Sequence, residues 1–533
     1  MSSLLATATI AMPKIDYLAI APELVLLGGA IIVMLAAAMV RGGLRRNVAT
    51  ALTLITGVGS LVVSLLEWHQ VTTHGASNTI AHAIAMDGFA AFIGITVSCV
   101  VILATLFGHA YLEREGIATS EYHILALASA SGAVMMAQAN DLIVVFLALE
   151  ILSIALYVLA AFNPLRGESG EAALKYFLLG GFSSALFVYG IALVYGACGS
   201  TNLTQIASFL SLNEITHAGL LDAGLALLLV GFAFKVAAVP FHTWTPDVYQ
   251  GAPSPVTGFM AAVAKAGAFA GLLRVLYSAF GTQSATWQPI IYSLAVASLI
   301  LGSLVALQQR DVKRMLAYAS INHTGFILIG VEAATVRGLS SSLYYLFAYS
   351  IMTVGTFGII SLLGGKGDAD HDLARYRGLA RRQPLLGGAL VVLLLAQAGA
   401  PFTTGFLAKF GVVAAGIEAG SWPLALVAMV TAAVSVAFYL RTIVQVVTPV
   451  IPDIDDTTVA MPSGAAASTQ GANSALLLED TVETGVLETP TTVAVPVVAG
   501  VGIGVAAIVT VFFGVFPGPL LDLARAATLS FFG

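Results

Sequence analysis

Charge is scarce in this chain. Only 9% of its 533 residues are Asp, Glu, Lys or Arg, against 58% hydrophobic, and the mean hydropathy is +0.94. Ordinary soluble domains carry about 25% charged residues. A chain this apolar cannot cover a water-facing surface, which excludes a conventional soluble fold and makes lipid the expected solvent. Cysteine is nearly missing as well. Cys99 and Cys198 stand far apart in apolar sequence, with no CxxC spacing and no Cys/His grouping. That argues against an iron–sulfur or zinc site carried by this chain. There is no nucleotide or flavin motif. No cleavable signal peptide is expected, because the first apolar run, Tyr17 to Val40, is too long for the core of one.

What the chain has instead is a succession of apolar runs of about 18 residues or more, bounded by charge, Gly or Pro. Fourteen fall near 17–40, 47–66, 84–108, 122–139, 141–162, 171–197, 219–239, 254–280, 288–309, 313–333, 339–364, 385–415, 422–446 and 494–516. The stretch 122–162 reads as two spans because Gln138-Ala139-Asn140-Asp141 interrupts it. The expectation is an all-α integral membrane protein with about 14 transmembrane helices. Lys and Arg in the connecting segments orient it. Thirteen fall in the odd-numbered loops, Arg45, Arg166, Lys313 and Arg382 among them, and three, Lys14, Arg337 and Arg525, lie on the other side. The odd loops are therefore expected in the cytoplasm and both termini outside. Residues 451–490 differ from the rest, with seven Asp and Glu, no Lys or Arg, and mainly small and polar side chains. They read as a flexible acidic cytoplasmic loop, more simply a solvated spacer than a binding segment.

An ionisable side chain at the centre of a span costs at least about 2.5–3.5 kcal/mol even on the lenient insertion scale. Those left inside the spans therefore need a reason. The basic ones are Lys175, Lys235, Lys265, Arg274, Lys409 and Arg441, and the matching acid is Glu150. Glu150 lies nine residues beyond Asp141, about 13 Å deep in a hydrocarbon core about 30 Å thick, out of snorkelling reach. A protonated packing glutamate is the bland account, and proton transfer the functional one. Lys235 precedes Pro240 by five residues, and Pro240 removes a backbone donor. Pro246, Pro253 and Pro255 follow. Broken helices are tolerated in lipid where they line an enclosed or watery cavity, and a lysine held there is suited to proton exchange. Snorkelling to an interface is the alternative. Lys265 sits among small residues in FMAAVAKAGAFAGL, which permit close helix packing. Lys409 follows a second interruption at Gly399 to Gly405. KVAAVPFHTW and QAGAPFTTGF both run small residues, Pro-Phe and a polar stretch. Two interrupted spans, the seventh and twelfth, suggest an internal repeat, and such matched breaks point to a transport site. Lys175 has Glu171 four residues before it, so an ordinary i,i+4 pair competes with a transport role. His242 and His323 suit either proton relay or packing. Arg274 and Arg441 read as structural or snorkelling, since guanidinium does not readily hand on a proton.

KVAAVPFHTWTPDVYQGAPSPVTGF, RDVKRMLAYASINHTGF and APFTTGFLAKF resemble the signature stretches of the antiporter-like membrane subunits of respiratory complex I, the NADH:quinone oxidoreductase. The resemblance covers roughly spans 4–13. It implies two inverted five-helix repeats with broken helices 7 and 12. The chain would then divide into 1–120 (helices 1–3), 121–280 and 281–446 (the repeats), 447–493 (the acidic loop) and 494–533 (the last helix). It implies a proton path in which Glu150 and Lys235 form a buried pair, Lys265 is the central lysine and Lys409 the terminal one, with Lys175, His242 and His323 near the route. Subunit L of the family carries further spans and a long lateral helix, for which there is no sequence here. Subunit M typically has a glutamate where this chain has Lys409. The acidic stretch is longer than the family leads one to expect. The implied complex uses NADH, FMN, iron–sulfur clusters and quinone, none held by this chain, and the driving energy would come from quinone reduction elsewhere in it. The implied partners are the other membrane subunits, antiporter-like and small, and the lipid bilayer, with no nucleic acid. The implied setting is a bacterial plasma (inner) membrane. A subunit of a multi-subunit cation/proton antiporter, subunit M, and a non-transporting membrane scaffold stand as alternatives.

Overall fold

The computed structural model describes residues 15–40, 43–117, 120–213, 218–449, 493–527 and 529. In lipid every backbone group must be satisfied internally, and helices do this within one segment. The chain accordingly folds into helices with one short hairpin. In order they are α1 (Ala21–Met39), α2 (Gly43–His74), the hairpin β1 (Ser77–Thr79) and β2 (Ile84–Met86), α3 (Gly88–Glu115), α4 (Ser120–Gln138), α5 (Leu142–Ala160), α6 (Gly167–Cys198) and α7 (Leu203–Leu212). Then come α8 (Ala218–Lys235), α9 (Trp244–Gly251), α10 (Ser254–Ser278), α11 (Ser284–Ala306), α12 (Val312–Glu332) and α13 (Val336–Leu363). The last are α14 (Leu379–Arg382), α15 (Pro384–Ala398), α16 (Thr404–Glu418), α17 (Trp422–Val447), α18 (Val497–Val515) and α19 (Gly518–Ala526).

Among the described residues, eleven helices are long and apolar enough to cross a membrane: α1, α2, α3, α5, α6, α8, α10, α11, α13, α17 and α18. The protein is a multi-pass membrane protein. Three expected spans fall outside those eleven. Two correspond to α4 and α12, which form in the expected places but carry many polar residues. The third is divided between α15 and α16. The expected acidic loop at 451–490 lies outside the described residues. The short elements α7, α14, α19 and the hairpin escape a search for long apolar runs because each is ten residues or fewer.

The bundle is layered around α10 and α13, which pack on each other and are buried along their whole apolar length. By contrast α1, α2, α6, α11, α17 and α18 bury only 28–39% of theirs and turn the rest outward, the pattern of helices that meet lipid. Lys265 is on α10, so it sits on the central helix of the molecule. The break foreseen at Gln138 to Asp141 is real. Asp141 accepts from the Ile143 N–H, 2.8 Å away, and starts α5 as its N-cap.

Two charged clusters hold the frame. Arg274, fully buried on α10, donates to both Asp87 oxygens (2.5 and 2.9 Å) and to the Ala137 carbonyl. It is therefore structural and does not snorkel. Lys313, counted above with the loop charges, is instead buried in the first turn of α12, where its Nζ lies 3.4 Å from Asp368. Asp368 also accepts from the Ser254 N–H (2.8 Å) and lies 3.0 Å from His371 Nε2. One carboxylate thus ties the start of α10 to α12 and to the segment after α13. Burial works to raise the Asp368 carboxyl, but Lys313 and His371 outweigh it and hold it well below the usual carboxylate range. A group depressed in the folded state contributes its full stability above the unfolded value of about 3.9 and loses it only as pH falls toward the folded value. Asp368→Asn should lower stability by about 3–5 kcal/mol, the cost of breaking a buried pair. Thermal unfolding in detergent should show that gap constant from pH 7 to 5, narrowing only below about pH 4. A gap already closing between pH 7 and 5 would assign the effect to His371 instead.

Candidate functional site

Lys235 is the last residue of α8, where the helix stops at mid-bundle. Residues 236–243 are not helical, and Ala237 adopts a positive φ of 60°. Helix ends leave carbonyls without partners, and side chains satisfy them here. Trp244 Nε1 donates to the Phe234 carbonyl (3.0 Å), and the Thr324 hydroxyl donates to that of Val236 (2.6 Å). The second interruption follows α15. Gly399 caps that helix at φ +94°, and Lys409 Nζ, arriving from α16, donates to the Ala398 carbonyl at 2.8 Å. A Cβ on Gly399 would stand 3.1 Å from Lys409 Cδ, so glycine serves both the backbone turn and the lysine's approach.

The three central lysines are buried, and none is ion-paired among the described residues. Hydroxyls, carbonyls and ring faces surround them instead. Lys235 Nζ donates to Tyr176 Oη (3.1 Å) and lies 5.5 and 5.1 Å from the Tyr157 and Tyr176 ring centres. Lys265 Nζ uses all three donors, on the Ser320 carbonyl (2.7 Å), Ser320 Oγ (2.7 Å) and Thr324 Oγ1 (2.8 Å), with the Tyr349 ring 4.8 Å away. Lys409 reaches Ser435 Oγ (3.3 Å) besides Ala398 and lies 5.0 Å from the Phe326 ring. A ring face attracts an ammonium without carrying charge.

Polar side chains bridge the lysines. Thr324 touches both Lys265 and the carbonyl next to Lys235. Ser320 Oγ lies 2.7 Å from Tyr349 Oη. His323 is buried, with Nδ1 2.7 Å from Tyr345 Oη and Nε2 3.1 Å from Tyr439 Oη. Tyr439 donates to Gln397 (3.3 Å), the residue before the carbonyl that Lys409 holds. Glu150 is half-buried on α5 and accepts from the Ser184 hydroxyl. It makes no ion pair with Lys235. Ser184 and Lys235 instead line a common cavity of about 10 Å³, room for on the order of one water. Lys175 pairs with Glu171 (2.7 Å), as its spacing allowed, and also with Asp247 on α9 (2.8 Å). Arg314 meets Asp247 from the other side at 2.8 Å. Lys175, Glu171 and Asp247, with Arg166 and His371, line an open polar mouth of about 270 Å³. His242 lies in the interrupted segment, half-buried, beside the Pro240 backbone. Arg441 satisfies the Leu307 and Gln309 carbonyls just past the end of α11 and stands apart from the lysines.

The sequence reading passed over Tyr176, Ser184, Ser320, Thr324, Gln397 and Tyr439. Ser320 and Thr324 are four apart and share a helix face, but nothing in their identity separates a lysine's partner from a packing hydroxyl.

Residues 139–435 match the family model described as NADH:quinone oxidoreductase/Mrp antiporter, TM. NADH-quinone oxidoreductase subunit N of Mycobacterium bovis is 36% identical, the match covering 97% of this chain and 98% of that one. The chain belongs to the NADH-quinone oxidoreductase subunit N family. A chain in the structure of respiratory complex I from Thermus thermophilus with bound aureothin is 30% identical, with a TM-score of 0.73 over 95% of this chain and 100% of that one. A chain of the Mrp complex from Dietzia sp. has a TM-score of 0.81 over 97% of both at 20% identity, a likeness of fold alone.

Thr324→Val keeps the shape but leaves the Val236 carbonyl without its donor. A buried carbonyl so abandoned costs about 1–3 kcal/mol, which should lower the thermal unfolding midpoint of the assembled protein, while Thr324→Ser should restore it.

Proposed function

We propose that this chain is the proton-translocating N subunit of a bacterial NADH:quinone oxidoreductase, moving protons through a buried Glu/Lys path driven by quinone reduction elsewhere in the complex. One observation carries the reading. Three buried lysines without acid partners are joined by hydroxyls, carbonyls and a histidine to two helix interruptions. Buried basic residues that bear no structural ion pair are costly, and function is the usual reason they persist. Family membership supplies the setting. The partners are the neighbouring antiporter-like and small membrane subunits, and the complex holds NADH, FMN, iron–sulfur clusters and quinone in other chains.

The path begins at the mouth around Lys175 and Asp247. From Glu150 it crosses by Ser184 to Lys235. Lys235 passes the proton, through water and the Thr324 hydroxyl, to Lys265, and His323 and Tyr439 carry it toward Lys409, with Gln397 holding the Tyr439 hydroxyl. A hydroxyl or imidazole accepts a proton on one lone pair and releases another, so each can relay. Fourteen spans in two inverted repeats, with both termini outside a bacterial plasma membrane, complete the reading. The bias of loop Lys and Arg, twelve to three once the buried Lys313 is set aside, supports that orientation, and Arg166 at the mouth agrees with a cytoplasmic side there.

Lys235→Ala and Glu150→Ala in the intact complex, reconstituted in vesicles, should slow NADH-driven proton uptake through this subunit about a hundredfold, the lower range for losing a positioned proton-transfer group. Unchanged uptake in both variants would sink the path. The antiporter alternative is decided separately, by whether the chain co-purifies with a flavin- and iron–sulfur-containing arm.

A further inference from the structure

The helices α1 to α4 lie outside the lysine series, yet their interior is polar. Thr50, Thr53, Thr56, Ser60, Ser64 and Glu67 recur every three or four residues along α2, which puts them on one face, and all six are buried. The face spans 17 residues, about 26 Å at 1.5 Å per residue, close to the thickness of a bilayer core. Each end carries titratable groups. Thr50 Oγ1 lies 3.0 Å from His109 Nδ1 and 3.2 Å from His123 Nε2. At the far end Glu67, Glu23 of α1 and Gln138 of α4 are all buried, and the Gln138 amide lies close to both carboxyls, short of good hydrogen-bond geometry.

Ordinary packing explains part of this face. Thr53 and Thr56 donate to carbonyls one turn back (2.8 Å each), and Ser98 donates to Ser60 (2.9 Å). It does not explain the rest. Both oxygens of Glu67, both polar atoms of Gln138 and the Ser64 hydroxyl are buried without a partner among the described residues. A buried polar group with no partner costs about 1–3 kcal/mol, so a purely structural face would have discarded them. The neighbouring charges are committed elsewhere. Arg274 is held by Asp87 at the carboxyl end, and Arg46 by Glu113 (2.7 Å) at the histidine end. Ser64 packs directly against α3, where a Cβ on Gly94 would stand 2.6 Å from its Oγ, so glycine there admits the hydroxyl.

We propose that the α1–α4 layer carries a second proton route, separate from the lysine series, along α2 between the His109–His123 pair and the Glu67–Glu23 pair. Successive groups are about 4.5–6 Å apart along the axis, a gap that a side-chain rotation or one transient water would close. A proton arriving on a histidine nitrogen is matched by one leaving. Each hydroxyl takes a proton on its oxygen and gives up the one it held, and the last settles on a Glu67 carboxylate oxygen, from which Glu23 releases it. No bond other than O–H and N–H forms or breaks.

The test uses the whole complex in vesicles. Glu67→Gln keeps the shape and removes the titrating relay. It should slow transfer along α2 about a hundredfold, read as fewer protons taken up per NADH oxidised. Ser64→Ala removes a hydroxyl with no partner to lose, so a structural role predicts unchanged or better stability and unchanged uptake, whereas a relay role predicts normal assembly with reduced uptake. Wild-type uptake in both variants overturns the proposal. If Glu67→Gln fails to assemble, Ser64→Ala decides alone. Neither residue touches the lysine series, so the outcome is independent of the Lys235 and Glu150 variants.

Discussion

A backbone in lipid cannot leave its hydrogen-bonding groups unsatisfied, and this molecule breaks two helices in the middle of its bundle. Everything polar at its centre is arranged around that breach. The carbonyls freed by the end of α8 are taken up by Trp244 and Thr324, and the one freed by the end of α15 by Lys409 itself. Of these side chains Thr324 also touches Lys265, and Lys409 is one of the lysines itself. A change to either is therefore felt twice, once in the frame and once in the path.

The placement of charge follows a division. Near the ends of the bundle, charges are matched: Arg274 with Asp87, Lys313 with Asp368, Lys175 with Glu171 and Asp247. Toward the middle, Lys235, Lys265 and Lys409 form no ion pair among the described residues and hydrogen-bond only to neutral groups. A matched pair fixes geometry and resists separation. An ammonium held by hydroxyls and ring faces can give up a proton without stranding a partner charge. The paired charges serve as fasteners, and the unpaired ones remain available for chemistry.

Much of this was legible in the sequence, for physical reasons. Long apolar runs announce spans, proline after a lysine announces an interruption, and an ionisable residue deep in a run announces itself by its cost. Glu150, Lys235, Lys265 and Lys409 were singled out that way. The connecting groups were not. Thr324 and Tyr439 have the same identity whether they serve a lysine or fill space, and only distance tells the two apart. Asp87 was invisible as the partner of Arg274 because the two are 187 residues apart. The serines and threonines of α2 barely disturb its hydropathy, so a buried polar face passed as an ordinary span. Lys313 was misjudged because it stands at a helix start, where sequence does not separate a loop cation from a buried one.

The ring faces around the lysines have one more consequence. An aromatic wall attracts a cation but supplies no charge to cancel it at a distance, so a proton resting on one lysine is felt by the next. For two unit charges about 15 Å apart at an effective dielectric constant near 20, the repulsion is about 1 kcal/mol, on the order of a fivefold bias in occupancy. Two neighbouring sites would then be loaded together about fivefold less often than if independent, and an arrival at one would hasten departure from the other. In a row that carried protons, the walls would meter the traffic as much as the stations.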